Sequence, residues 1–119
     1  MMNILLVDDV ADTRKLLSMM FHLYGHQTAL ATNGAEAVEA VRQAPFDAIV
    51  MDLEMPVMDG LEATRQIRLL DNGQRVPIVM FTGYDYSRCA ALKAGASDLV
   101  QKPIDPEKLL SHITALKAA

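Results

Sequence analysis

Four short apolar runs in this chain each end in a residue able to do polar chemistry. Ile4-Leu5-Leu6-Val7 runs into Asp8-Asp9, Ala48-Ile49-Val50-Met51 into Asp52, Ile78-Val79-Met80-Phe81 into Thr82, and Leu99-Val100-Gln101 into Lys102-Pro103. Runs this short and unbroken, spaced by helical patterns, read as strands of a parallel sheet covered on both faces. Such sheets bind their ligands beyond the carboxyl ends of the strands. Asp8, Asp9, Asp52, Thr82 and Lys102 are therefore expected to meet on one edge of one sheet, although they are scattered through the chain.

The segments between the runs support that reading. Strands are predicted over residues 3–7, 26–30, 48–51, 78–81 and 99–101. A first helix is predicted over 13–24, with Leu16, Met19, Met20 and Leu23 spaced to form its inner stripe and Gly25 as its C-cap. Asn33-Gly34 opens a second helix that turns Ala37, Val38 and Val41 inward, and Ala44-Pro45-Phe46 stops it. Asp59-Gly60 is a turn before a third helix over 61–70, and residues 87–94 form a fourth, closed by Gly95. Asp105 caps a fifth that begins at Pro106 and carries Leu109, Ile113 and Leu116 as its stripe. Strictly alternating β and α elements mean right-handed crossovers and an α/β, doubly wound sheet with helices on both faces. If the strand order is 2-1-3-4-5, the switch point lies between strands 1 and 3, and Asp8, Asp9 and Asp52 flank the crevice.

Composition narrows the function classes. The 119 residues, 51% of them hydrophobic, suffice for one domain with a real core, and no second domain is expected in 1–119. No apolar run approaches the ~20 residues of a membrane helix, and the first ends at Asp8, so neither membrane insertion nor a signal peptide is expected. Cys89 is the only cysteine, which excludes an internal disulfide and suits a reducing cytoplasm. A net charge of -4 without a Lys/Arg run makes nucleic acid an unexpected direct ligand.

Three carboxylates within about 5 Å would repel one another by roughly 3 kcal/mol per ionised pair at an effective dielectric near 20. The cluster calls for a cation, or for one carboxyl to stay protonated. Few, all-oxygen donors suit Mg²⁺, which keeps several waters and often bridges to phosphate. A carboxylate can accept a phosphoryl group covalently. Lys102 and Thr82 would then bind its oxygens, and Gly83 leaves space that a larger side chain would crowd.

Taken together, these residues resemble the receiver domain of two-component response regulators. The resemblance runs from Leu6-Val7-Asp8-Asp9 to the fifth helix. Its most specific segment is Met51-Asp52-Leu53-Glu54-Met55-Pro56-Val57-Met58-Asp59-Gly60, with Phe81-Thr82-Gly83 and Lys102-Pro103 at the family's spacings. It implies a flavodoxin-like (βα)5 three-layer sandwich of strand order 2-1-3-4-5, and Asp52 as acceptor of a phosphoryl group from a histidine kinase or a histidine phosphotransfer protein. Asp9, Asp52 and the backbone carbonyl of Glu54 would ligate Mg²⁺ (or Mn²⁺), with Asp8 acting directly or through a water. Thr82 and Lys102 would hold phosphoryl oxygens, and the Lys102–Pro103 bond would be cis. The domain would catalyse its own phosphorylation and slow hydrolysis. A downstream effector protein would meet helix 4, strand 5 and helix 5. The kinase would meet helix 1, where a residue such as Leu17 would bear on phosphotransfer, and the loop after strand 5.

Some positions depart from that pattern. Leu99 stands three residues before Lys102, where the family usually has Tyr or Phe; with Thr82 it would form the switch pair. Ile104 stands where Phe is common, and Glu54 and Tyr84 occupy the two positions that tune dephosphorylation. These departures keep open a pseudo-receiver, an interaction module read without phosphorylation. An aspartate-nucleophile phosphatase is a third reading, but it would want a second Asp where Glu54 stands and a cap domain. The chain could be a stand-alone regulator or the receiver of a longer protein such as a hybrid kinase.

Other residues read plainly. His22, His26 and His112 lack metal-ligand spacing and suit structural roles. Cys89 reads as a small apolar residue of helix 4, Met19, Met20, Met51 and Met80 as core, and Met55 and Met58 as loop packing. Tyr84-Asp85-Tyr86 is a partner surface or simply an exposed loop.

Overall fold

The structure, a computed structural model, describes residues 1–83, 88–103 and 105–118. The Tyr84-Asp85-Tyr86 loop, Ser87 at the predicted start of helix 4, and Ile104 lie outside the described residues. The apolar runs become β1 (Asn3–Val7), β2 (Gln27–Ala31), β3 (Ala48–Asp52), β4 (Ile78–Thr82) and β5 (Asp98–Gln101). They are parallel and lie in the order β2-β1-β3-β4-β5, as expected. The helices are α1 (Ala11–Leu23), α2 (Gly34–Gln43), α3 (Gly60–Arg68), α4 (Arg88–Ala94) and α5 (Pro106–Ala118), with a short 3-10 turn at Asp71–Gly73.

Every residue of β3 and β4 is buried, which is why their sequences show no alternation. Successive side chains still go to opposite faces. Leu5, Val7, Ile49, Met51, Ile78 and Met80 pack with Val41 of α2 and Ile67 of α3 on one face. Ile4, Leu6, Val50, Val79 and Phe81 pack with α1 and α5 on the other. Burying each large side chain stabilises the fold by about 1.5–3 kcal/mol before entropy is counted. β2 lies at the sheet edge, begins one residue later than predicted, and leaves Leu30 exposed.

Local sequence sets the helix ends. Asn33 accepts the Glu36 N–H at 2.9 Å while the Glu36 carboxylate accepts the Thr32 N–H at 2.8 Å. Asp59 accepts the Glu62 N–H at 2.9 Å, and Asp105 accepts the Glu107 N–H at 3.0 Å. Gly25, with φ of +88°, lets the chain leave α1 in the left-handed region.

The inner face of α1 differs from the expected one. Leu17 and Phe21 are its buried residues, whereas Leu16, Met19 and Leu23 are exposed. The helix is apolar on two adjoining faces, and periodicity fits either. The bulk of Phe21 against Ile4, Leu6 and the α5 residues decides which face turns in. Met19 is thus surface and Leu17 core, and Cys89 lies exposed on α4 rather than inside it.

Two features carry unusual backbone chemistry. The Arg68 guanidinium donates from Nε to the Gly95 carbonyl at 2.8 Å, and from Nη1 to the Gly73 and Val76 carbonyls at 2.9 and 2.7 Å. Burial holds this group below the usual arginine range. Pro56-Val57-Met58 forms a γ-turn, with the Met58 N–H donating to the Pro56 carbonyl at 2.8 Å and Val57 at φ +71°.

Candidate functional site

Adjacent strands deliver the site. Val7 pairs with Met51, so Asp8 and Asp52 emerge side by side, and Asp52 pairs with Phe81, which sets Thr82 one residue beyond. The Leu53 N–H donates to the Phe81 carbonyl at 2.9 Å and the Lys102 N–H to the Thr82 carbonyl at 2.7 Å, extending the ladder past the strand ends. The Lys102–Pro103 peptide bond is cis. Gly60 lets α3 begin against β3, since a Cβ there would come within 2.4 Å of the Asp52 carbonyl oxygen.

Carboxylate oxygens of Asp8, Asp9 and Asp52 lie within 4.8 Å of one another, close to the expected separation. Asp8 and Asp52 are buried and Asp9 is exposed, so the cluster opens to solvent on one side. Lys102 Nζ is 3.7 Å from Asp8 Oδ2 and 3.7 Å from Asp52 Oδ2. The same ammonium sits 4.9 Å from the centre of the Phe81 ring. One oxygen of each buried carboxylate has a backbone donor: Asp8 Oδ1 takes the Val10 N–H at 2.8 Å and Asp52 Oδ1 the Glu54 N–H at 3.3 Å. Asp8 Oδ2 is buried without a hydrogen-bond partner.

One ammonium does not balance this much negative charge. Burial, reinforced by the Asp8 charge and opposed by Lys102, pushes the Asp52 carboxyl up to about 6. Burial raises Asp8 as well, against the Val10 hydrogen bond and Lys102. The donor set and the orphaned Asp8 oxygen fit a hard, oxygen-seeking divalent cation.

The sequence-predicted residues Asp8, Asp9, Asp52, Thr82 and Lys102 thus converge. Leu99 is half-buried and packs against the core on the α2–α3 side. Gly83 adjoins open space, since a Cβ there would meet no heavy atom within 4 Å. Four contacts, at three places, were missed from the sequence. Arg14 Nη1 donates to the Asp8 carbonyl at 2.6 Å, fixing the β1–α1 turn. The Thr82 hydroxyl donates to the Glu54 carboxylate at 2.7 Å. Asp98, buried at the start of β5, pairs with Arg88 and with His112, giving that histidine the structural role its spacing left open.

The profile of the response regulator receiver domain matches residues 4–114. This chain belongs to that family. Its receiver is 42% identical over 117 residues to the response regulator MprA of Mycobacterium leprae, a match covering 97% of this chain and 50% of that protein. The chain spans about half the length of the MprA relatives it matches. Among solved structures, the receiver resembles that of the sensor histidine kinase PA1611 from Pseudomonas aeruginosa, which has a magnesium ion coordinated in its active-site cleft. The TM-score is 0.91 at 33% identity, covering 99% of this chain and 98% of that one. Chemotaxis protein CheY4 of Vibrio cholerae gives a TM-score of 0.91 at 30% identity, covering 98% of each chain. The receiver is a module of two-component signalling with the CheY-like flavodoxin fold, and no helix among its described residues is long and apolar enough to cross a membrane.

Proposed function

We propose that this receiver takes a phosphoryl group onto Asp52 from the phosphohistidine of a histidine kinase or histidine phosphotransfer protein. The observation that carries the reading is the Asp8–Asp9–Asp52 cluster, with Lys102 equally close to its two buried members. An Asp52 carboxylate oxygen attacks phosphorus; the new P–O bond forms as the P–N bond breaks, and the imidazole leaves with its electron pair. Lys102 and Thr82 bind oxygens of the transferring group and stabilise the charge that spreads over them. Mg²⁺ (or Mn²⁺), held by Asp8, Asp9, Asp52 and the Glu54 backbone carbonyl, would screen the carboxylates from the incoming anion.

The site stands beside a surface suited to a donor protein. A groove of about 600 Å³ bounded by Asp12, Thr13, Leu16, Leu17, Gly83, Lys102 and Pro103 reaches the site at Lys102. Leu16, Met19 and Leu23 continue it as exposed apolar area along α1. The downstream partner is a protein read through α4, β5 and α5, in the cytoplasm. Thr82 and Leu99 form the switch pair, Leu99 responding through packing in place of an aromatic ring.

Intact-mass analysis after incubation with a small phosphodonor and Mg²⁺ tests the reading. One phosphoryl adduct is expected on the wild type and none on Asp52→Asn or on a chelated control. An adduct on Asp52→Asn overturns the assignment. The absence of both an adduct and beryllofluoride binding makes the chain a pseudo-receiver.

A further inference from the structure

Thr82 is 1% exposed, at the end of the fully buried β4, and its hydroxyl donates to Glu54 Oε1 at 2.7 Å. A hydroxyl carries a single hydrogen and serves one acceptor at a time. The phosphoryl chemistry proposed for Asp52 requires that hydrogen for a phosphoryl oxygen. Glu54 follows Asp52 by two residues, and its own N–H is spent on Asp52 Oδ1 at 3.3 Å, so its backbone is fixed at the site while its carboxylate reaches across to β4. The acceptor now on Thr82 is therefore an anionic oxygen, chemically akin to the one that must replace it.

We propose that the Glu54 side chain is a resident competitor of the phosphoryl group, occupying the Thr82 hydroxyl and holding the site against phosphoryl-like anions until they displace it. This deepens the Asp52 reading and rests on it. It differs from a role in admitting water to the phosphorylated site, because it acts before any phosphoryl group has arrived. The carboxylate also brings an acidic group to the residue that follows Phe81 at the edge of the site. Entry of an anion must break the Glu54–Thr82 hydrogen bond and turn the carboxylate out to solvent, which Glu54 already meets on its exposed side.

The test is a ¹⁹F NMR titration of the full chain with beryllofluoride and Mg²⁺, with circular dichroism as the check on folding. Glu54→Ala is expected to bind the probe roughly three- to tenfold more tightly than wild type, the size of one exposed charge-assisted hydrogen bond. Glu54→Gln, which keeps an acceptor but not the charge, is expected to fall between them. In a Thr82→Val background, of the same shape without the hydroxyl, the gain from Glu54→Ala should shrink; in Thr82→Ser, which restores the hydroxyl, it should return. Unchanged or weaker binding by Glu54→Ala overturns the proposal. So does an equal gain in the Thr82→Val background, which would make Glu54 a nearby charge acting independently of Thr82. If no variant and not the wild type binds the probe, the Asp52 reading fails and takes this one with it; binding without Thr82 dependence removes this one alone.

Discussion

Asp98 and His112 join the fifth strand to the helix that follows it. His112 Nε2 pairs with Asp98 Oδ2, while Arg88 Nη2 approaches Asp98 Oδ1 at 2.5 Å from α4. Asp98 is 4% exposed, so its carboxylate depends on these partners and on the Leu99 N–H, which donates to Oδ1 at 2.8 Å. Removing both side-chain partners strands a buried charge. The double variant Arg88→Ala/His112→Ala is expected to lose about 2–4 kcal/mol in chemical denaturation. Adding Asp98→Asn to it should recover part of that loss by removing the stranded charge. A triple variant less stable than the double would show that the carboxylate is held by something else.

The acidic cluster predicts a pH dependence. Asp52 is held at about 6, above its ordinary 3.8, so in metal-free protein the folded state binds this proton more tightly than the unfolded chain does. The stabilisation from protonating it is whole below about pH 4 and is lost as pH rises through about 6. Asp52→Asn, neutral at every pH, should stabilise the metal-free protein by about 2–3 kcal/mol near pH 8, and by roughly half as much near pH 5. Saturating Mg²⁺ should raise the melting temperature of the wild type and raise that of Asp52→Asn less. A gain independent of pH would contradict the close packing of the carboxylates.

Val57 offers a test of stored strain. A β-branched residue at φ +71° costs about 1–3 kcal/mol, and Val57, 83% exposed, recovers little of it through packing. Val57→Gly removes that cost and adds about 0.5–1 kcal/mol of unfolded-chain freedom. The expected net is a gain near 1 kcal/mol, a rise of about 4 °C in melting temperature. Val57→Ala, which keeps the Cβ, should gain less.

The exposed apolar face of α1 separates donor docking from chemistry. Leu16 is 58% exposed, so Leu16→Glu should fold as the wild type does. Phosphotransfer from a histidine phosphotransfer partner is expected to slow about tenfold or more, the effect of losing an apolar anchor. Labelling by a small phosphodonor should be unaltered. Equal slowing with both donors would place the effect inside the site. Leu17, buried between α1 and the sheet, cannot serve this test.

The strands and the site were legible from the sequence for one physical reason. A strand covered on both faces needs an unbroken apolar run, and the first polar residue after it marks the ligand-binding edge. Asp8, Asp52 and Thr82 follow that rule, and Lys102 comes one residue later, after Gln101. The facing of α1 was not legible, because Leu16, Leu17, Met19, Met20, Phe21 and Leu23 satisfy two helical stripes and only packing against Ile4 and Leu6 chooses between them. Asp98 was illegible because its partners Arg88 and His112 come from two helices whose relative placement no local pattern encodes. The Glu54 side chain was placed at a tuning position, yet its bond to Thr82 depends on the register of β3 against β4.

Arg68 and Arg88 give α4 two unequal moorings. At the helix's trailing end, moving Gly95 would strip a buried guanidinium of one of three carbonyl partners that water cannot easily replace. At its leading end the tie is Arg88, 62% exposed, whose bond to Asp98 can be given up at lower cost because the guanidinium rehydrates while His112 and the Leu99 N–H stay on the buried carboxylate. The helix is therefore a lever with its pivot at Gly95 and its loose tip on the side of Thr82, so that work done at the carboxyl edge of the sheet meets least resistance there.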